Sequence, residues 1–249
     1  MPSRLLLVFA HPDDESFVAA GLSRRYADAG AHVALVTATR GEAGSRGDPP
    51  LCAENELPAL RESELREAAG LLGISDIHLL GYRDKHLAEA PPGIIREQLV
   101  AIIRRHRPQV VVTYDPNGGH GHADHVAISR FTMDAVSAAA DSRWHPAVGA
   151  AHVVQRVLWT PPVLAWDDPA PTTVDAEPGV DFILDISPQR AAKAAALRAH
   201  RTQHRSTERW IFRKPRADQI LGIETFRQGF GASLPAAPLD DVFAGIVID

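Results

Sequence analysis

Apolar residues follow two alternating patterns along the first half of the chain. Continuous apolar runs are typical of strands that are covered on both faces, and apolar residues that recur every three or four positions are typical of amphipathic helices. The runs predict strands at 5–10, 33–37, 76–80 and 109–114, and the recurring pattern predicts helices at 15–29, 58–72, 94–106 and 124–140. Alternation at this spacing indicates an α/β fold with a Rossmann-like, doubly wound and mainly parallel sheet.

The second half of the chain is less regular. We predict strands at 153–160 and 182–186, a helix at 188–204, and a loop or flap in the Pro-, Asp- and Thr-rich segment 161–178. No internal repeat and no clear domain boundary is visible in the sequence. We therefore expect one domain over 1–249, with a Rossmann-like core at about 4–140, a C-terminal elaboration at about 150–249, and the strand order 3-2-1-4-5.

Composition excludes several classes of protein. The chain has 249 residues and a net charge of -5, and no run of Lys or Arg indicates a nucleic-acid-binding surface. Cys52 is the only cysteine, so an internal disulfide or a cysteine zinc cluster cannot form, and a reducing, cytoplasmic location is expected. No apolar run approaches the roughly 20 residues of a membrane span. Assembly into a homo-oligomer stays open.

The first candidate site is the segment 11–15, His-Pro-Asp-Asp-Glu, at the carboxyl end of the first predicted strand. In open α/β sheets, ligands bind in the crevice outside the carboxyl ends of the strands. Dinucleotide-binding proteins have a glycine-rich turn at this point, whereas Asp13 and Asp14 would repel a pyrophosphate, which argues against nucleotide binding. The alternative that one of these aspartates only caps the following helix stays open.

The second candidate site is the segment 117–125, Asn-Gly-Gly-His-Gly-His-Ala-Asp-His, just past the fourth predicted strand. His122 and His125 are one helical turn apart, so both can face one point if Asp124 opens a helix. The alternative for this segment is a solvated polar loop. Solvated positions are also what we predict for the scattered histidines His32, His78, His106, His145 and His152.

The predicted topology brings these two candidate sites together. Strands one and four are neighbours in a doubly wound sheet, so their carboxyl ends lie side by side. Imidazole nitrogens and a carboxylate are suitable zinc ligands, and a catalytic zinc has three protein ligands plus water. One further aspartate is then left beside the metal as a base.

The paired motifs 11–15 and 122–125 resemble those of the LmbE-like (PIG-L) family of zinc-dependent N-deacetylases. Each motif alone is moderately specific, and the combination is specific. Further segments extend the resemblance over roughly residues 4–204, namely 39–44, 61–65, 72–73, 80–84 and 193–203.

The resemblance implies a metal centre and a base. His11, Asp14 and His125 match the zinc ligands, and Asp13 matches the general base that takes a proton from the attacking water. Zinc lowers the pKa of a bound water to about 7, which supplies hydroxide at neutral pH. Iron(II) could occupy the same ligands, because geometry and availability decide the metal as much as affinity does.

The resemblance also implies roles for five other residues. His122 would stabilise the developing oxyanion or protonate the leaving amine, with Asp124 holding its ring. Arg61 and Asp84 match positions that contact the substrate sugar. His120 stands where mycothiol-pathway deacetylases have a tyrosine, and its imidazole could form similar hydrogen bonds.

The expected function is metal-dependent hydrolysis of an amide. The substrate would be a small N-acyl amino sugar of the N-acetylglucosamine type, or a conjugate of one, and the group removed an N-acetyl or other N-acyl group. Amide cleavage of a thiol-cofactor conjugate and deacylation of a glycosylated natural product are alternatives. A catalytically silent metal-binding scaffold is a further alternative, and Asp13 argues against it because a structural zinc site needs no spare acid.

Overall fold

The computed structural model describes residues 2–160 and 180–248, so the predicted loop or flap at 161–178 lies outside the described residues. Seven strands and nine helices are present in the described part of the chain. The strands are β1 (Arg4–Phe9), β2 (His32–Thr39), β3 (Asp76–Tyr82), β4 (Val110–Tyr114), β5 (Arg156–Thr160), β6 (Phe182–Asp185) and β7 (Ile223–Gly231). The helices are α1 (Asp14–Val18), α2 (Ala20–Asp28), α3 (Leu57–Leu72), α4 (Pro92–His106), α5 (Gly118–Gly121), α6 (Ala123–Ala140), α7 (Arg190–Ala199), α8 (His204–Thr207) and α9 (Ala217–Gly222).

The seven strands form one mixed sheet in the order β3-β2-β1-β4-β5-β7-β6. The first five are parallel, which confirms the α/β fold and the predicted order 3-2-1-4-5. Strand β1 lies between β2 and β4, with Leu5 opposite both Val33 and Val110. Both β1 and β4 are buried along almost their whole length, as expected for strands covered by helices on both faces. Their carboxyl ends lie side by side.

Strand β7 is not predicted from the sequence. It pairs antiparallel with β5 on one side and with β6 on the other, so it separates two strands of the sheet. Its burial alternates only at the start, and its second half is largely exposed. A strand with this mixture of apolar, charged and glycine residues has no continuous apolar run to mark it.

The predicted helix at 15–29 is broken into α1 and α2. Ala19 separates them with φ -143° and ψ 18°. The carboxylate of Glu224, on β7, accepts hydrogen bonds from the backbone N–H groups of Gly21 (2.9 Å) and Leu22 (2.8 Å), so it caps the start of α2. Lys193 pairs with the same buried carboxylate at 2.9 Å. The break is therefore imposed by a residue more than 200 positions away, which local periodicity cannot predict.

The predicted helix at 188–204 is shorter in the structure. Helix α7 ends at Ala199, and His200 begins a turn that continues into α8. This turn is fixed by the buried carboxylate of Glu64, which accepts hydrogen bonds from the backbone N–H (2.9 Å) and the hydroxyl (2.6 Å) of Thr202. Across the described residues, none of the helices combines the length and the apolar character that crossing a membrane requires.

Candidate active site

The loop after β1 holds Asp13 in an unusual backbone conformation. Its φ is 115°, a region that residues other than glycine rarely adopt and that costs about 1–3 kcal/mol. The carbonyl of Asp13 accepts the first backbone hydrogen bonds of α1, from Ser16 (2.9 Å) and Phe17 (3.0 Å). Its side chain makes no capping hydrogen bond, so the alternative that Asp13 serves only as a side-chain cap does not hold.

The side chain of Asp14 is turned back toward the end of β1. Its Oδ2 accepts hydrogen bonds from the backbone N–H groups of Ala10 (3.1 Å) and His11 (2.9 Å). Burial alone would raise the pKa of Asp14, but His125, His11 and these hydrogen bonds lower it well below its usual range. Asp14 is therefore a carboxylate whose position is fixed by the main chain.

Donor atoms of three residues from the two motifs lie close together. The Nδ1 of His11 lies 3.2 Å from the Nε2 of His125 and 3.7 Å from Oδ2 of Asp14. The Nε2 of His125 lies 3.3 Å from Oδ1 of Asp14. Ligand atoms about 2.0–2.1 Å from a tetrahedral zinc lie about 3.3 Å from one another. In this triad, the two contacts of the His125 Nε2, with His11 and with Oδ1 of Asp14, match this spacing, whereas the contact of His11 with Asp14 is longer and is made by the other oxygen.

Hydrogen bonds on the far side of the His11 and His125 rings turn the Nδ1 of His11 and the Nε2 of His125 toward each other. The Nε2 of His11 lies 3.2 Å from Oδ1 of Asp84 and 3.2 Å from Oδ2 of Asp124, and an ionised carboxylate can only accept, so Nε2 carries the proton. The Nδ1 of His125 donates to the carbonyl of Gly118 at 3.3 Å. Such outer partners set the tautomer and orientation of metal-binding histidines.

The charge around the triad is strongly negative. Burial alone would lower the pKa of His11, but Asp124, Asp84 and Asp14 outweigh it and raise the pKa to about 10. A surplus of buried carboxylates of this kind favours a positive charge at the centre. The donor set, its spacing and its charge therefore all fit a divalent metal.

The structure corrects the contact predicted for Asp124. Its carboxylate does not reach the ring of His122; it accepts from the backbone N–H groups of Lys85 (2.6 Å) and Leu87 (3.1 Å) and lies against His11. The contact with His122 is through the main chain, since the backbone N–H of Asp124 donates to the Nδ1 of His122 at 3.2 Å. Asp124 thus joins the loop after β3 to the ring of His11.

His122 is a neutral imidazole with a defined tautomer. Burial, together with His11 and His125, lowers its pKa below the ordinary value. Because its Nδ1 accepts a hydrogen bond, the proton is on Nε2, which is left as a donor. One ring nitrogen each from His11, His122 and His125 lie within 4.8 Å of one another. These three histidines are therefore an alternative set of ligands for a metal in the cavity.

Asp13 lies beside the triad in a different environment. Burial raises its pKa to about 6, with Arg61 opposing the shift and Asp14 adding to it. The Nη2 of Arg61 lies 3.3 Å from Oδ2 of Asp13. A carboxylate with a pKa near neutrality is suited to take up a proton during turnover.

Arg61 is buried and holds two loops in place. Its guanidinium donates to the backbone carbonyls of Gly41 (2.8 Å) and Pro12. Gly41 has a φ of +64°, and a Cβ atom there would overlap the guanidinium. The glycine-rich loop after β2 can therefore pack directly on Arg61 only because it lacks side chains at this point.

The structure places a buried network behind Asp13 that the sequence left unassigned. His200 is fully buried, and its Nε2 lies 2.8 Å from Oε1 of Glu15. The other oxygen of Glu15 accepts the backbone N–H of Asp13 at 3.1 Å, and Ser16 donates its hydroxyl to Oε1 at 2.6 Å. The only sequence signal was that Glu15 belongs to the first motif and His200 to the C-terminal segment of the resemblance.

These groups surround a cavity of about 580 Å³. Among the nine residues singled out in the sequence, Asp124 is fully buried beneath it and the other eight line it: His11, Asp13, Asp14, Arg61, Asp84, His120, His122 and His125. His120 is exposed, with its ring 5.2 Å from that of His125. The sequence did not indicate the apolar part of the wall, which includes Phe17, Val18 and Trp210.

This chain is similar to proteins of one known family. A profile of the PIG-L family, described as GlcNAc-PI de-N-acetylase, matches residues 6–136. The 1D-myo-inositol 2-acetamido-2-deoxy-alpha-D-glucopyranoside deacetylase of Saccharomonospora viridis is 39% identical, covering 80% of this chain and 84% of that protein. The protein of the same name from Geodermatophilus obscurus is 36% identical, with 98% of both chains covered.

A solved structure gives the same result for the fold. The conserved protein TT1542 from Thermus thermophilus superposes with a TM-score of 0.69 at 27% identity, covering 92% of this chain and 96% of that one. The family profile spans both candidate motifs, and the relatives extend the similarity to most of the chain. The chain therefore belongs to the PIG-L (LmbE-like) family.

Proposed function

We propose that this protein is a zinc-dependent N-deacetylase that hydrolyses the N-acetyl group of a small amino-sugar conjugate. The observation that carries the proposal is the convergence of His11, Asp14 and His125 beside the separate carboxylate of Asp13, all on one cavity. A structural zinc site is closed by four protein ligands, whereas a hydrolytic site keeps an open position and an adjacent base. Iron(II) is the alternative metal for the same ligands.

The three ligands and Asp13 have different tasks. When bound, a divalent metal supplies a Lewis acid that acidifies water and polarises a carbonyl oxygen. Asp13 accepts the proton of the attacking water, because its carboxylate lines the cavity and its pKa of about 6 lets it gain and release a proton near neutral pH. Arg61 and Glu15 hold Asp13 in place from opposite sides.

His122 provides the hydrogen-bond donor. With Nδ1 engaged by the backbone N–H of Asp124, its Nε2–H is available to the carbonyl oxygen of the amide as negative charge develops there. A lowered pKa keeps the ring neutral at rest, so it acts first as a donor rather than as a cation. Asp13, which holds the proton taken from the attacking water, then passes that proton to the leaving amine, and His122 stays neutral throughout.

The substrate class rests on the relatives and on the cavity. Relatives 36–39% identical to this chain are deacetylases of an N-acetylglucosaminyl inositol, and we infer that this chain acts on the same or a similar conjugate. A cavity of about 580 Å³ is of the size that encloses a small organic ligand. Asp84 and His120 supply polar groups on its wall, and Trp210 supplies an apolar surface for a sugar ring.

A substrate panel assayed by release of the free amine tests this proposal. The panel contains N-acetylglucosamine, its inositol conjugate, its malate conjugate and an N-acyl glycopeptide, each with zinc- and iron(II)-loaded protein. The inositol conjugate should give the largest kcat/KM. A preference for the malate conjugate or the glycopeptide would transfer the assignment to one of the alternative substrates, and no amine from any substrate with metal-loaded protein would refute the deacetylase assignment.

A further inference from the structure

A second group of side chains that could bind a metal lies near the amino-terminal ends of strands β2 and β3, whereas the cavity lies at the carboxyl ends of the strands. Strand β3 is the edge strand, and Asp76 and His78, two residues apart on it, point to the same face. Ala34 of β2 pairs with Asp76, so His32, two residues before Ala34, shares that face. His106, the last residue of α4, covers the group from the helix layer.

The four side chains are in direct contact. The Nε2 of His32 lies 2.8 Å from Oδ2 of Asp76, and the Nε2 of His78 lies 2.8 Å from the Nε2 of His106. The rings of His32 and His106 are stacked at 5.4 Å, and one ligand atom each from His32, Asp76 and His106 lie within 4.8 Å of one another. The prediction of scattered, solvated histidines is therefore wrong here: His106 is buried and the other three residues are half-buried.

We propose that His32, Asp76, His78 and His106 form a second metal site, separate from the cavity, that binds zinc or another borderline divalent ion. Three imidazoles and one carboxylate are a complete set for tetrahedral zinc. The donor atoms of His32, Asp76 and His106 already lie within 4.8 Å of one another. His78 contacts the group through His106, so its side chain must move further than the others to become the fourth ligand. A bound ion would join the edge strand β3 to β2 and to the end of α4, so we assign it a structural role.

The carboxylate of Asp76 is the negative charge of the group, and the ring of His106 is held in the form that can bind a metal. Burial and the neighbouring His78 lower the pKa of His106 to about 4, so the ring is neutral at pH 7, the form that binds metals. Burial would raise the pKa of Asp76, but hydrogen bonds from His32 and Ser75 lower it, so the carboxylate is ionised. Arg105 opposes a cation, but its side chain is exposed and its charge is screened by water.

The competing interpretation is a network of hydrogen bonds without metal. The two Nε2 atoms of His78 and His106 can share one proton, and His32 can donate to Asp76, so the contacts alone do not require an ion. The two interpretations differ in metal stoichiometry. They also differ in what zinc does to thermal stability, because an ion that binds only the folded state raises Tm.

The test counts bound metal in four full-length proteins after equilibrium dialysis against zinc: the parent, Asp76→Asn, His125→Ala and the double variant. We expect two equivalents of zinc in the parent, one in Asp76→Asn, one in His125→Ala and none in the double variant. Asp76→Asn should keep the deacetylase activity of the parent, because Asp76 lies far from the cavity. Cobalt loaded into His125→Ala should give the visible absorption of a tetrahedral ion, and zinc should raise the Tm of His125→Ala but not that of the double variant.

Two controls make the count decisive. His86→Gln removes an exposed histidine paired with Glu89 and should leave two equivalents. His78→Gln, on the edge strand, repeats the test with a different ligand and should also lose one equivalent. Equal counts for His125→Ala and the double variant would overturn the second site, whether or not the cavity binds metal. A different result would keep this second site and refute the metal centre proposed at the cavity. In that case the parent would bind one equivalent of zinc, Asp76→Asn would bind none, and His125→Ala would still bind one.

Discussion

Replacement of Asp13 by Asn separates the proposed base from the metal ligands. Asn matches the size of Asp and, with its short polar side chain, tolerates a positive φ better than most residues, so the backbone at φ 115° can be kept. The proposed metal ligands do not include Asp13, and the three contacts among them remain in the variant. We therefore expect a full metal complement in Asp13→Asn and a loss of turnover.

The size of the loss follows from the role of the carboxylate. A positioned general base contributes about 10²–10⁴-fold, which corresponds to about 2.7–5.4 kcal/mol of transition-state stabilisation. The free energy of unfolding should change by less than about 2 kcal/mol, because buried Arg61 keeps the carbonyls of Gly41 and Pro12 as acceptors. A large kinetic effect with a small stability effect is the expected signature.

The assay measures kcat by amine release, metal by elemental analysis and Tm for the parent, Asp13→Asn and Asp14→Asn. Asp14→Asn is the matched control, since it makes the same chemical change at the neighbouring residue and should lose both metal and activity. Turnover of Asp13→Asn within tenfold of the parent would refute the base assignment. Loss of metal from Asp13→Asn with retention in Asp14→Asn would mean that the two aspartates have exchanged roles.

Three further predictions concern other parts of the molecule. His125→Ala should lose the equivalent of metal on which activity depends, and an unchanged count after dialysis would contradict its role as a ligand. His120→Tyr should retain more activity than His120→Ala, because a phenol can donate a comparable hydrogen bond; equal kcat/KM values for both variants and the parent would show that His120 makes no contribution. Glu224→Ala should cost about 3–5 kcal/mol in the free energy of unfolding, because it leaves Lys193 buried without its partner, whereas Glu67→Ala in an exposed pair should cost less than about 1 kcal/mol; similar costs would refute this account.

The sequence predicts an element of the fold correctly where the pattern of apolar side chains directly indicates burial. The apolar runs of β1 and β4 predict central strands, and two buried neighbours in a parallel sheet bring the motifs that follow them together. The meeting of His11 with His125 could therefore be predicted without a structure. Only the apolar pattern of each strand and the order of strands in a doubly wound sheet are needed for this prediction, and neither depends on contacts between distant residues.

Long-range contacts account for what the sequence could not predict. The break between α1 and α2 is fixed by Glu224 on β7, and the cluster around His106 is assembled from β2, β3 and α4. The sequence also cannot predict which atoms contact the ring nitrogens: in the structure, the carboxylate of Asp124 contacts His11 instead of the ring of His122. In each case the interacting residues share no periodicity along the chain.

Asp13 and Asp14 are adjacent in sequence but have different surroundings, and the contacts of each carboxylate fit a separate role. Burial acts on both carboxylates in the same direction, toward a higher pKa. At Asp14 two histidines and two backbone N–H groups outweigh burial, so the group stays ionised and fixed as a ligand should be. At Asp13 burial prevails over Arg61, and the pKa of about 6 suits proton exchange. Separate roles as metal ligand and base require different surroundings for the two acids, and here Asp14 faces two histidines and backbone N–H groups, whereas Asp13 faces Arg61.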